Sequence, residues 1–154
     1  MAGKIDAKLA ELGIALPDAP APQANYIPYV VTGKLVFVSG QVSSAGGEVI
    51  KGKLGADLDI EDGQKAARAC ALNLLAQLKA ACGGDLDRVK RVVKLGSFVN
   101  GAPDFTGPPQ VTNGASDLMV AIFGDAGRHA RFAVAVASLP LGAAVEIDGV
   151  FEIA

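Results

Sequence analysis

The chain has no tryptophan, a single histidine, two cysteines, and aromatic residues at only 5% of its 154 positions. Apolar residues still make up 51%. A core must therefore be assembled from Ala, Val, Leu and Ile in regular elements, and the length fits one domain. One histidine and no His/Cys/Asp grouping at ligand spacing argue against a resident metal. The formal charge of −2 and a pI near 5.3 lack the basic excess of nucleic-acid-binding domains. No apolar run approaches the ~20 residues of a membrane span, and no basic-then-apolar leader opens the sequence. A cytoplasmic protein is the default expectation. Neither a Walker sequence nor GxGxxG after a strand is present, so nucleotide-phosphate cradling is unsupported, and no cofactor is expected. Cys70 and Cys82 fall on one predicted helix about three turns apart, ~18 Å, too far for a disulfide within it. They read as buried thiols.

Residues 5–12 predict a short helix stopped by Gly13. The proline-rich stretch from Pro17 to Pro22 reads as an extended connector. Residues 1–20 are thus read as an N-terminal extension and residues 21–154 as a single domain. Leu35-Val36-Phe37-Val38 predicts a strand, with a turn over residues 43–47 and a short strand around residues 48–51. Asp59 is placed to cap a helix carrying the stripe Ala67, Cys70, Leu74, Leu78 and Ala81, with Gly83-Gly84 ending it. A strand over residues 89–99 and a helix over residues 110–123 follow. Two alternating strands joined by Leu139-Pro140-Leu141-Gly142 are read as a closing hairpin. The order predicts an α+β fold, one mixed sheet with two helices on one face. The other face, rich in Val and Phe, needs cover that oligomerisation supplies.

The last two strands hold the charges that stand out. Arg131 is followed on its own face by Ala133, Ala135 and Ala137, which leave space beside a guanidinium. Space beside a fixed guanidinium suits a small carboxylate. An arginine paired with an acid, or solvated at a strand start, fits the same residues. Glu146 interrupts an apolar strand. A hairpin centred between Pro140 and Leu141 sets it opposite Ala135 on the Arg131 face, and a one-residue slip reverses that. It reads either as a proton-transfer group or as a structural ion-pair partner. His129 reads as a surface or strand-edge histidine. Arg88, Lys90, Arg91 and Lys94 read as a solvated face.

The run from Arg131 through Ser138-Leu139-Pro140 to Gly142-Ala143-x-Val145-Glu146-Ile147 resembles the C-terminal signature of the RidA/YjgF family, also described as L-PSP endoribonuclease-like. Pro28-Tyr29-Val30, Ser39-Gly40-Gln41, Leu72-Asn73-Leu74-Leu75 and Val111-Thr112-Asn113-Gly114 extend the resemblance over nearly the whole chain. It implies a chorismate-mutase-like fold assembled as a homotrimer, with ligand clefts between neighbouring subunits. It implies hydrolysis of reactive enamines and imines such as 2-aminoacrylate, with Arg131 clamping the carboxylate and Glu146 handling water or protons. Tyr29, Ser39, Gln41 and Asn113 would line the pocket, or serve as strand, turn and helix-start residues. Ala133 stands where active members often carry cysteine, and its backbone carbonyl would contact ligand. Phe105 and Phe123 are candidates for apolar walls, with core packing the simpler role for Phe123. The implied partner is a small 2-imino or 2-oxo carboxylic acid. A trimer that binds such an acid without turnover is the alternative, and an endoribonuclease or translation inhibitor a weaker one. Imine hydrolysis needs orientation, one water and proton management, and no covalent nucleophile.

Overall fold

The computed structural model describes residues 3–20 and 24–154. Pro22 of the expected connector and the boundary at residue 21 lie outside the described residues. The element order is α1 (Lys4–Glu11), β1 (Tyr29–Thr32), β2 (Leu35–Val42), β3 (Ser44–Ala45), β4 (Glu48–Val49), α2 (Ile60–Ala81), β5 (Val89–Asn100), α3 (Pro108–Phe123), β6 (Ala130–Val136) and β7 (Val145–Ile153). Five strands form one sheet in the order β1-β2-β7-β5-β6, and β3 pairs with β4 in a separate short ribbon. The fold class and the two long helices on one face are as the sequence predicts.

Local chemistry sets the ends of α2. Asp59 accepts from the Asp62 amide at 2.8 Å while Asp62 accepts from the Asp59 amide at 3.2 Å. This reciprocal cap satisfies two donors that a helix start leaves free. Gly83 and Gly84, both at positive φ, turn the chain away. α3 starts with Pro108 in its first turn, where no amide is needed. Gly114 lets α3 lie directly on α2, because a Cβ there would overlap the Gln64 carbonyl. The core lies between these helices and the sheet and contains Leu74, Leu75, Leu78, Leu95, Met119, Ile147 and Phe151.

The closing hairpin does not form. β6 pairs in parallel with β5, and β7 is inserted between β2 and β5. The chain β5-α3-β6 is a crossover with its helix on the sheet, which delivers β6 parallel to β5 at the sheet edge. Residues 137–144 then pass over the end of β5 instead of folding β7 back onto β6. The Lys53 ammonium stitches this crossing, donating to Asn100 Oδ1 at 2.7 Å and to the Ala137 carbonyl at 2.5 Å. Fully buried Val145, Ile147 and Phe151 suit the central position that β7 takes.

The opposite face of the sheet is not covered by the described residues. Phe37 is 44% exposed, Phe132 37% and Val134 43%. Phe132 stacks edge-on against Phe98 and lies under the Lys94 ammonium. Lys94 is thereby part of this open face, while Arg88 and Arg91 donate to the carbonyls of Ala154 and Arg128. At the N-terminus, α1 is capped by Asp87, which accepts from the amides of Lys4 and Ile5 at 2.8 Å each. Both cysteines are free and buried.

Candidate functional site

Arg131 stands on the edge strand β6, paired with Leu95. Its side chain lies on the helix side of the sheet and is half-buried against α3. One guanidinium nitrogen donates to Ser116 Oγ at 3.0 Å and another to the Pro109 carbonyl at 3.2 Å. Both partners are neutral. Among the described residues the ion pairs are Lys8–Glu11, Lys65–Glu61, Lys79–Asp6 and Arg128–Asp125, none involving Arg131. The arginine is oriented, yet its charge has no carboxylate.

Ser116 is itself held. His129 Nδ1 lies 2.6 Å from the Gly127 carbonyl, and Nε2 lies 2.9 Å from Ser116 Oγ. A carbonyl can only accept, so Nδ1 carries the proton and Nε2 accepts from the serine hydroxyl. Ser116 therefore turns a lone pair towards Arg131. Burial, helped by the Arg131 charge, lowers the His129 pKa and keeps the ring neutral. Asn113 lies one turn from both Pro109 and Ser116 on α3, and so shares the face along which the guanidinium runs. Ala133, paired with Ser97, follows Arg131 on the same side of β6.

Glu146 is elsewhere. It pairs with Phe98 on β5 and with Val42 on β2, and points to the open face. Arg131 pairs with Leu95 and Leu95 with Gly149, three residues from Glu146, so the two charges are on opposite faces. β5 lies between their strands, which are ~10 Å apart across the sheet. The shared face expected from a hairpin is thus replaced by two separate half-sites. Gly40 makes room for the carboxylate, since a Cβ there would strike Glu146 Oε2. Burial first, and the Asp148 charge second, raise the Glu146 pKa.

A cavity of about 530 Å³ opens beside Glu146, with Gly40 and Gln41 in its lining. Gln41 is buried and donates to the Ser39 carbonyl at 2.9 Å, while Ser39 Oγ donates to the Ile27 carbonyl at 2.9 Å. Tyr29 does not line this cavity and packs on the core, whereas Tyr26 does line it. Phe105 packs on the core beneath residues 55 and 101, as does Phe123 beside α1. Among the described residues, no group of three or more His, Cys, Asp or Glu is placed to hold a metal ion. Among the described residues, no helix is long and apolar enough to cross a membrane.

The sequence reading missed the roles of several residues, Tyr26 among them. Ser116 and His129 hold the arginine; Asn73 and Gln77 line the Glu146 cavity. The signals were present. His129 and Arg131 are two residues apart beside a strand, and so face the same way. Asn73 and Gln77 are polar residues four apart on an otherwise apolar helix, buried at 3% and 1% exposure.

The profile of the family described as "YjgF/chorismate_mutase-like, putative endoribonuclease" matches residues 6–151. "Protein TCP17" of Trypanosoma cruzi is 54% identical over 98% of this chain and 95% of its own length. The crystal structure of Atu1372, a protein of unknown function from Agrobacterium tumefaciens, is 47% identical. It superimposes with a TM-score of 0.91 over 97% of this chain and 92% of that one. RidA from an Antarctic Psychrobacter is 28% identical, with a TM-score of 0.61 over 88% of this chain and 94% of that one.

Proposed function

The chain belongs to the YjgF/chorismate mutase-like family, and we propose that it hydrolyses 2-imino acids, and their enamine tautomers, to 2-oxo acids and ammonia. The observation that carries this reading is the oriented, half-buried Arg131 guanidinium, which has no carboxylate partner among the described residues. A substrate carboxylate is the missing partner, worth ~1.5–3 kcal/mol in charge-assisted hydrogen bonds.

The reaction asks little of the protein. An enamine is first protonated on carbon to give the imine. A water oxygen then bonds to the imine carbon while nitrogen takes up protons, and the carbinolamine expels ammonia as the carbonyl forms. Glu146, its pKa raised by burial and by the Asp148 charge, accepts the proton from the attacking water and returns it to the leaving nitrogen. Gln41 and Asn113 supply polar edges, and the Ala133 carbonyl a further acceptor.

Within one copy Arg131 and Glu146 do not meet. Arg131 stands on the β6 edge, while the cavity opens beside β2 and β7. A head-to-tail ring brings the edge of one copy to the cavity of the next and covers the exposed Phe37, Phe132 and Val134. Three copies close such a ring, each cleft using one arginine and one glutamate from different chains.

The test is ammonia release from 2-aminoacrylate, generated in situ by a dehydratase, with wild type beside Arg131→Ala. Acceleration that falls by about a hundredfold in the variant is the expected result. Retained acceleration would remove the clamp. Binding of 2-oxo acids without turnover would identify a regulatory trimer instead, a reading favoured by Ala133 in place of cysteine. RNA cleavage that weakens steeply with salt would identify the nuclease.

A further inference from the structure

The Glu146 cavity is large for a three-carbon acid. Its volume of about 530 Å³ falls among pockets that enclose drug-sized ligands, ~300–1,000 Å³. Among its described lining residues Glu146 is the single charged group, and none is cationic. An anion buried whole in it would face Glu146 with no counter-charge. The interior therefore suits the apolar part of a ligand whose carboxylate stays at the rim.

Much of the wall is apolar, and its amides Gln41, Asn73 and Gln77 are held by backbone carbonyls. Pro20, Tyr26 and Pro28 precede β1 in the chain, and Pro140 and Leu141 lie in the β6–β7 connection. Gln77 Nε2 donates to the Pro20 carbonyl at 2.6 Å. One turn away, Asn73 donates to the Val42 and Ser44 carbonyls at 3.3 and 3.2 Å. Two buried amides of α2 thus fix two walls of a preformed pocket. Leu141 is the one residue other than glycine at positive φ among the described residues, at +61°, and it is 61% exposed. A leucine held there costs about 1–2 kcal/mol and gains no burial in return. It does set an isobutyl group at the cavity rim.

We propose that Pro20, Tyr26 and Pro28, together with Leu141, form a side-chain subsite that selects 2-imino acids with bulky apolar side chains. This rests on the hydrolase reading, with the carboxylate at the rim taken by Arg131 of a neighbouring copy.

The experiment compares imines generated in situ by an amino-acid oxidase from leucine, phenylalanine and alanine. It uses the full-length protein, Gln77→Leu and Leu141→Gly; glycine adopts the Leu141 backbone freely, so that variant keeps its fold. The expected wild-type kcat/KM is about tenfold or more higher for the leucine and phenylalanine imines than for the alanine imine. The ratio falls at least about threefold in each variant. Equal or greater efficiency on the alanine imine overturns the subsite and leaves the hydrolase standing. No hydrolysis of any imine removes the hydrolase instead, and calorimetry then decides the subsite. Tighter binding of 4-methyl-2-oxopentanoate than of pyruvate supports it; equal binding overturns it.

Discussion

The two half-sites are opposites. The Arg131 half is a cation fixed by neutral hydrogen-bond acceptors, on the helix side of an edge strand, with no ion-pair partner among the described residues. The Glu146 half is an acid in a cavity on a central strand, with no cation in its described lining. Each lacks what the other has, and the sheet separates them within a copy. An arginine left without a carboxylate, and a glutamate made harder to ionise, are expensive features for a lone chain. The contrast teaches that neither half is complete until another molecule arrives.

The largest effect should come from removing the acid alone. Glu146→Gln is expected to cut imine hydrolysis about a hundredfold while changing 2-oxo acid affinity little, as steady-state kinetics and calorimetry would show. The same variant should be more stable than wild type at pH 7–8. The raised pKa means the folded protein holds its proton longer than the unfolded chain, so wild-type stability falls as pH rises above about 4.5. The stability gain should vanish at pH 4, and thermal melts at the two pH values would check it.

Next comes the support of the cation. Ser116→Ala leaves Arg131 with the Pro109 carbonyl and is expected to raise KM about fivefold with kcat nearly unchanged, the worth of one hydrogen bond. An unchanged KM would show that Ser116 does not orient the guanidinium.

The smallest effect is a pH dependence. The His129 pKa is lowered in the fold, so the unfolded chain takes up its proton first as pH falls below about 6.5. Stability should drop between pH 6.5 and the folded pKa, and a charged ring would then stand beside Arg131. His129→Gln should flatten this part of a Tm-against-pH curve. The other charges on these elements, Asp117, Asp125, Arg128 and Arg91, remain in both proteins.

The sequence was most readable where residues act locally. Asp59, the Gly83-Gly84 pair and Pro108 mark helix ends because capping is decided within one turn. The strand alternation around Phe37 and Val134 revealed a face in need of cover. The closing hairpin was misread because Leu-Pro-Leu-Gly resembles a turn, whereas strand order depends on which long-range pairings bury Ile147 and Phe151 best. Arg131 and Glu146 stood out as charges inside apolar strands. Their separation onto two faces was invisible because it follows from the register of β6 and β7 against β5, which pairs Leu95 with both Arg131 and Gly149. His129 reads as a surface or strand-edge residue and does stand beside the edge strand β6, but its hold on Ser116 was not legible, since that serine is contributed by α3.

The most direct measurement of a site shared between copies is complementation. Arg131→Ala and Glu146→Gln, each nearly inactive alone, are mixed, dissociated and reassembled, and imine hydrolysis is assayed. If each cleft takes its arginine and its glutamate from different chains, about a quarter of the clefts in random trimers regain both groups, and activity returns accordingly. Activity that stays at the level of the separate variants would contradict the shared site.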